Sequence, residues 1–406
     1  MTGDRIAMIK TIVIIYDQAY ISGGAAKIAI KSAISLKKKG YRVVFFAALG
    51  PIDEELINEG IEVVCTGGSH IGKTKNPRAL LKAIWNVEAK RKLDELLGKL
   101  DVKSTVVHIH GWTKCLSSSV FEACYKNNMR TFITLHEYFT ICPNGGVYNY
   151  KKGKICDIKP NGIRCLFCNC DKRNYLQKIY RDVRQLFLNV TLKKTKPNVI
   201  YITEFSKNIL KPFLNFPKHE FYLENHVEFP HRSKVKIKDN KKYLFIGRMS
   251  GEKAPELFCE AITRANVEGI VIGAGPQLER LRDKYENIQF TGWLSSDEMG
   301  KYINQARCLI VSSKWYETMG LTVLEMQARG IPCIVPDRCA ASEYVEHKKN
   351  GLIYKIGNIS SLINAINVTK DDKLIEKWGD YFYDHFDEQR YSMERHINEL
   401  IDIYNF

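Results

Sequence analysis

Long apolar runs are missing from this chain. Stretches such as Thr11 to Tyr16 are far shorter than the ~18 to 20 residues needed to cross a bilayer. Nor is an early basic stretch followed by an apolar segment and a small-residue cleavage site, so we expect neither a membrane span nor a secretory signal, and a cytoplasmic location. Glycine (27) and proline (12) are sparse across 406 residues, which excludes collagen-like, linker-like and broadly disordered chains. Twelve cysteines are too few for a secreted disulfide scaffold and fit a reducing compartment. Acidic residues are also short: 45 Asp and Glu against 61 Lys and Arg leave 61 − 45 = +16. Such a field favours phosphate-bearing partners: nucleic acid, sugar nucleotides or an anionic membrane face.

What the chain does have is a rhythm of short β-branched runs separated by helical segments. Ile9 to Tyr16, Tyr41 to Ala47, Glu62 to Cys65, Val106 to His110 and Thr131 to Leu135 read as buried strands, and a basic helical region covers Pro77 to Leu100. A second series runs through Lys242 to Ile246, Gly269 to Ile272, Ile288 to Phe290, Cys308 to Val311 and Pro332 to Val335. Strands alternating with helices imply doubly wound α/β units, here two similar Rossmann-like halves in one chain. The polar stretch Asn225 to Lys242, broken by Pro230, reads as the connection. The expected organisation is residues 1–225, residues 226–386, and a tail 387–406. Ile397, Leu400 and Ile401 make that tail an amphipathic helix expected to pack back on the first domain.

Open α/β sheets bind ligands beyond the carboxyl ends of their strands. In the second series those positions hold a recurrent kit. Gly247 precedes Arg248 and Lys253, a fork and a point charge suited to a diphosphate. Gly273 and Gly275 form a strand-to-helix turn able to admit a phosphate. Glu317 and Glu325 flank Gly320, which puts one carboxylate in a loop and the other inside the following helix. Taken singly, each is an ordinary solvated turn or a pair of surface glutamates; their order along consecutive strands gives them weight.

In that order the chain resembles the retaining GT-B glycosyltransferases of family 4. The resemblance rests on GRMSGEK (residues 247 to 253), IGAGPQLERL (272 to 281), FTGWLSSDEM (290 to 299), WYETMGLTVLEMQARGIPCIV (315 to 335) and SEYVEHKKNGLIY (342 to 354). It implies that Arg248 and Lys253 hold the donor diphosphate, Glu325 the ribose hydroxyls and Glu317 the donor sugar, with Gly247, Gly275, Gly320 and Leu321 nearby and Trp293 and Leu294 bordering the base. Met319 stands where the family usually has an aromatic residue, which leaves the donor sugar open. In the first half, Gly23 and Gly24 match the Gly-rich loop facing the donor, and His136 matches a histidine near the anomeric carbon, with His110 a second lining candidate. The implied activity is metal-independent sugar transfer from a nucleotide sugar, without a cofactor for catalysis, to a growing glycan, typically lipid-linked and destined for a surface polysaccharide. A small-molecule or protein acceptor is the alternative within the fold.

Two features lie outside that kit. Cys142, Cys156, Cys165 and Cys168 have the spacing of a structural zinc site, with Cys170 left over; the alternative is a set of reduced, partly buried thiols. From Lys151 to Ile200 there are thirteen Lys or Arg against Asp157, Asp171 and Asp182, or 13 − 3 = +10. Within this stretch a helix over about 175–194 places Leu176, Ile179, Val183, Leu186, Phe187 and Val190 at helical spacing. Such a helix either lies on an anionic membrane, making the protein peripheral on its inner face, or packs its apolar stripe on the first domain and turns its cations to water. A zinc-containing nucleic-acid-binding protein is the reading from another class; it leaves the second half unexplained, and no nucleic-acid partner is expected.

Overall fold

The computed structural model describes residues 8–68, 77–229 and 233–406, so Pro230 of the expected connection lies outside the described residues. Two parallel sheets organise the chain. The first contains β1 (Thr11–Gln18), β2 (Arg42–Leu49), β3 (Glu62–Cys65), β4 (Thr105–Ile109), β5 (Arg130–Thr134), β8 (Asn198–Tyr201) and β9 (Glu220–Tyr222), in the order β3-β2-β1-β4-β5-β8-β9. A two-residue antiparallel hairpin, β6 (Tyr148–Asn149) with β7 (Lys154–Ile155), stands apart from it. The second sheet holds β10 (Lys242–Ile246), β11 (Glu268–Ile272), β12 (Ile288–Gly292), β13 (Ala306–Ile310), β14 (Cys333–Pro336) and β15 (Gly351–Tyr354), ordered β12-β11-β10-β13-β14-β15.

Both sheets are doubly wound because their central strands are apolar on both faces. Every residue of β1, β4 and β13 is buried, polar ones such as Asp17, His108 and Arg307 included, as strands covered on both faces require. Strand order reverses between β1 and β4 in one sheet and between β10 and β13 in the other. These switch points leave a crevice at the strands' carboxyl ends, and the site lies there.

Five strands escape the periodicity argument, among them the two-residue β6 and β7. β8, β9 and β15 have four, three and four residues, lengths at which a run can be read, as in β3 and β14, or missed. The basic region from Pro77 splits into helices Pro77–Ile84 and Val87–Leu97, because the Asn86 side chain accepts the Ala89 N–H at 3.0 Å and starts a new helix. The tail helix Met393–Asn405 buries Ile397, Leu400 and Tyr404 in the core of the first sheet, and the Tyr404 hydroxyl meets His108 Nδ1 at 2.6 Å. Where the chain crosses between halves, the buried Glu224 receives a bidentate Arg390, at 2.8 and 2.9 Å.

The cysteine segment folds around the β6–β7 hairpin. Tyr150 N–H donates to the Cys170 carbonyl, and the Asn144 amide reaches Cys170 Sγ at 3.1 Å. Among the described residues, no three Cys, His, Asp or Glu side chains converge as a metal centre, so Cys142, Cys156, Cys165 and Cys168 share a neighbourhood without a common focus. Burial pushes the thiols of Cys142, Cys156 and Cys165 up.

The long helix Tyr175–Thr195 turns an unexpected face inward: Lys178, Asp182 and Gln185 are buried, and the apolar stripe faces solvent. The packed-stripe alternative is therefore corrected. Buried Lys178 binds Asp182 at 2.5 and 2.6 Å and the Cys165 carbonyl at 2.9 Å, so a hydrogen-bonded ion pair in the first half of the helix joins buried Leu188 and Leu192 in its second half in fixing which way it faces.

Candidate active site

A cavity of about 480 Å³ opens between the halves. Tyr16, Gly23, Gly24, Lys114 and Glu137 line it from the first half; Gly247, Arg248, Lys253, Ser313, Trp315, Glu317, Met319 and Leu321 line it from the second. The loops after β1, β4, β10 and β13 contribute, as switch-point geometry demands. Lys253 Nζ lies 2.9 Å from Glu317 Oε1, and the Ser313 hydroxyl donates to the same oxygen. Lys253 also stands 6.0 Å from the centre of the Trp315 ring. Arg248 reaches buried Glu252 at 3.3 Å while its side chain remains 68% exposed to the cleft. Ser250 Oγ donates to the same Glu252 oxygen at 2.9 Å. Two cations thus present at one wall, each oriented by a carboxylate, an arrangement suited to a diphosphate.

Gly320 does not line the cavity; it caps the helix Leu321–Gln327 and lies so near Ala341 that a Cβ would sit 2.7 Å from that residue's Cα. That close approach aims the helix at the Gly24 loop, where a Cβ on Gly24 would be 3.7 Å from Leu321. Gly275 corrects its sequence reading. A Cβ there would come within 2.6 Å of the Met249 carbonyl oxygen, so Gly275 packs against the loop carrying Arg248 instead of lining the cavity. Trp293 and Leu294 are also absent from the cavity wall: β12 is the edge strand, two places from β10, and the Trp293 side chain ends 76% exposed.

Glu325 lies one turn beyond Thr322 on the same helix, where Thr322 still faces the main cavity. It lines an adjoining space of about 130 Å³ with Lys27, Phe229 and Arg329. Burial pushes its carboxyl up to about 7, opposed only by Lys27. The folded protein therefore holds this proton more tightly than the unfolded chain. Stability falls as pH rises from about 4.5 to about 7 and is flat above. Glu325→Gln should be more stable than wild type by about 2 to 3 kcal/mol at pH 8, a difference that vanishes near pH 4.5. Urea titrations at both pH values measure it.

His136 sits in a side cavity of about 30 Å³ that also takes in Asp17, His110, Thr113, Lys114, Glu137 and Phe139. His136 Nε2 lies 3.0 Å from His110 Nδ1, and the Thr318 hydroxyl of the second half donates to its carbonyl at 2.9 Å. Burial lowers the His136 pKa to about 3 and that of His110 well below its ordinary value, so both are neutral hydrogen-bonding groups. Asp17, Lys114, Glu137 and Glu252 were not singled out from the sequence. Asp17 had a signal, being an acid at the end of a fully buried strand; it accepts the backbone N–H groups of Lys114, Cys115 and Leu116 at 2.8 to 2.9 Å and fixes the Lys114 loop.

Residues 227–385 match the family profile of the glycosyl transferases, group 1. Among solved structures, a glycosyltransferase from Rickettsia africae superposes with a TM-score of 0.68 at 18% identity, covering 98% of each chain. Anabaena HepE in complex with UDP gives 0.69 at 12%, covering 98% and 99%. The fold is GT-B. By sequence, the GT-B chain is 22% identical over 338 residues to an uncharacterized glycosyltransferase of Methanocaldococcus jannaschii, covering 79% of this chain and 80% of the relative. It is 26% identical over 147 residues to the Escherichia coli UDP-Gal:alpha-D-GlcNAc-diphosphoundecaprenol alpha-1,3-galactosyltransferase, covering 33% and 37%. The segment shared with the group 1 profile carries Arg248, Lys253, Glu317 and Glu325.

Proposed function

We propose that this GT-B protein transfers a sugar, with retention of configuration, from a nucleotide-sugar donor to a glycan acceptor carried on a lipid, in the making of a surface polysaccharide. The observation that carries the reading is the pair of carboxylate-oriented cations, Arg248 and Lys253, at the switch point of the second sheet, with Glu317 lining the same cavity as both. The acceptor oxygen bonds to the anomeric carbon as its bond to the leaving phosphate breaks. The acceptor proton passes to that phosphate oxygen. Arg248 and Lys253 stabilise the charge growing on the diphosphate, the electrostatic contribution that commonly dominates such catalysis. Transfer is expected to survive EDTA, and the anomeric proton coupling of the product reports retention.

The ribose is assigned to Glu325 and the donor sugar to Glu317 and neutral His136. A carboxylate accepts ribose hydroxyls better than a carboxyl does, so donor affinity should rise through pH 7 in wild type and lose that dependence in Glu325→Gln. The lipid-linked acceptor draws support from the galactosyltransferase relative, whose acceptor is a diphosphoundecaprenol. For the thiols we propose structural zinc, which would draw Cys142, Cys156, Cys165 and Cys168 from the neighbourhood they share to a common focus and would hold them as thiolates against the burial that raises three of them. Metal analysis of the purified chain tests it.

A thermal-shift panel of UDP, GDP, ADP and their sugar conjugates tests the donor site. A ligand at about 100 times its dissociation constant should stabilise the protein by ~2.7 kcal/mol. The reading expects one base to do so, and the effect to be lost in Arg248→Ala. No shift from any nucleotide sugar, with or without a glycan acceptor, would remove it.

A further inference from the structure

The helix Tyr175–Thr195 is inside out for a helix on a folded domain. Its buried side carries Lys178, Asp182 and Gln185 and only two leucines, Leu188 and Leu192, while Leu176 is 75% and Val190 68% exposed, with Leu186 and Phe187 between them on the same outward stripe. At its start the short helix Ile163–Leu166 adds Ile163 and Phe167, the latter 76% exposed. Of twenty-two large apolar side chains exposed among the described residues, ten fall between residues 163 and 190. That concentration makes a patch, where single exposed apolar residues would be ordinary.

Charge frames the patch. The three acids of residues 151–200 are all engaged internally: Asp157 with Lys154, Asp171 with Arg181 and Asp182 with Lys178. Exposed Arg164 adjoins Ile163, and exposed Lys193 flanks the stripe in the last helical turn. No helix among the described residues is long and apolar enough to span a membrane, so the patch can lie on a bilayer while this part of the chain stays outside it.

We propose that this face docks on a bilayer leaflet containing anionic lipid. The apolar stripe and Phe167 enter the boundary between headgroups and acyl chains, and the flanking cations sit at phosphate level. The occupant follows from complementarity: a leaflet offers apolar depth beneath a negative surface, matching an apolar stripe bordered by cations. The inner side of the helix leads to the site. Arg184 donates to the carbonyls of Thr113 and Pro143 at 3.0 and 3.3 Å and lies over the Phe139 ring, and Thr113 and Phe139 line the side cavity of His136. The docked face therefore lies about one helix diameter, roughly 10 Å, from that cavity. Delivery of a lipid-linked acceptor rests on the proposed function; docking itself does not.

Full-length protein is floated with phosphatidylcholine vesicles, with and without phosphatidylglycerol, beside Leu186→Glu/Phe187→Glu and Arg164→Ser/Lys193→Ser. Wild type should bind the anionic vesicles, and the apolar variant should bind them at least about tenfold more weakly. The charge variant should lose about 30-fold on anionic vesicles and little on neutral ones, and added salt should mimic it. Unchanged melting temperatures show that the variants fold, as their exposed positions imply. Binding unaffected by the apolar variant overturns the proposal, as does failure of wild type to float. Sedimentation showing a wild-type dimer that the apolar variant abolishes, without vesicle binding, assigns the face to a second copy instead. Vesicle binding without any nucleotide-induced thermal shift keeps the docking surface and removes the proposed function.

Discussion

Lys253→Ala should lower kcat by about 10²- to 10³-fold, the range seen when one preorganised donor to a developing anion is removed. The ammonium is held before any ligand arrives, 2.9 Å from Glu317, whose oxygen Ser313 also engages, so under the proposed function little reorganisation is needed when charge builds on a leaving diphosphate. Arg248→Ala should cost less, because its side chain is 68% exposed and better screened by water. If the two cations share one diphosphate, their losses will not add, and the double variant will fall short of the product of the single effects. Lys253→Ala strips Glu317 of its cation inside the cleft, so nucleotide binding and melting temperature are measured beside kcat. A variant that folds, binds nucleotide and retains more than half the wild-type kcat would exclude Lys253 from the transition state.

The parts of this molecule legible in the sequence are those with long repeats or buried runs. β1, β4, β10 and β13 declared themselves by short, mainly apolar runs without alternation, and the loops after them hold Gly23, Gly24, Gly247, Arg248 and Glu317. Position within the sheet was not legible. Gly275 and Trp293 follow strands as Gly247 does, yet sheet order sets them one and two strands from the switch point. Glu252 was hidden for another reason: it looks like a surface acid in a polar turn, and only folding buries it to orient Arg248. Nor could the helix Tyr175–Thr195 be oriented by amphipathicity, which assumes that the apolar face packs inward.

That orientation draws on a buried ion pair as well as on buried Leu188 and Leu192, and Lys178→Met should cost about 3 to 5 kcal/mol, because it leaves Asp182 buried without its cation. The pair is an i, i+4 Lys and Asp, a spacing that on a surface is worth only a few tenths of a kcal/mol. Here the Lys178 side chain is 0% exposed. Burial is the largest influence and disfavours its charge, but the hydrogen bond to Asp182 together with the charges of Cys165, Asp182 and Cys170 outweighs it and raises its pKa. Lys178→Met/Asp182→Leu removes both charges at once and should recover most of the loss, since apolar replacement of a buried ion pair is often neutral. Urea unfolding of wild type, both single variants and the double variant gives the coupling directly. Were Lys178→Met alone as stable as wild type, the pair could not be what turns the apolar stripe outward. Were the double variant to lose vesicle binding while recovering stability, the buried charges would be shown to orient the helix beyond holding the fold together.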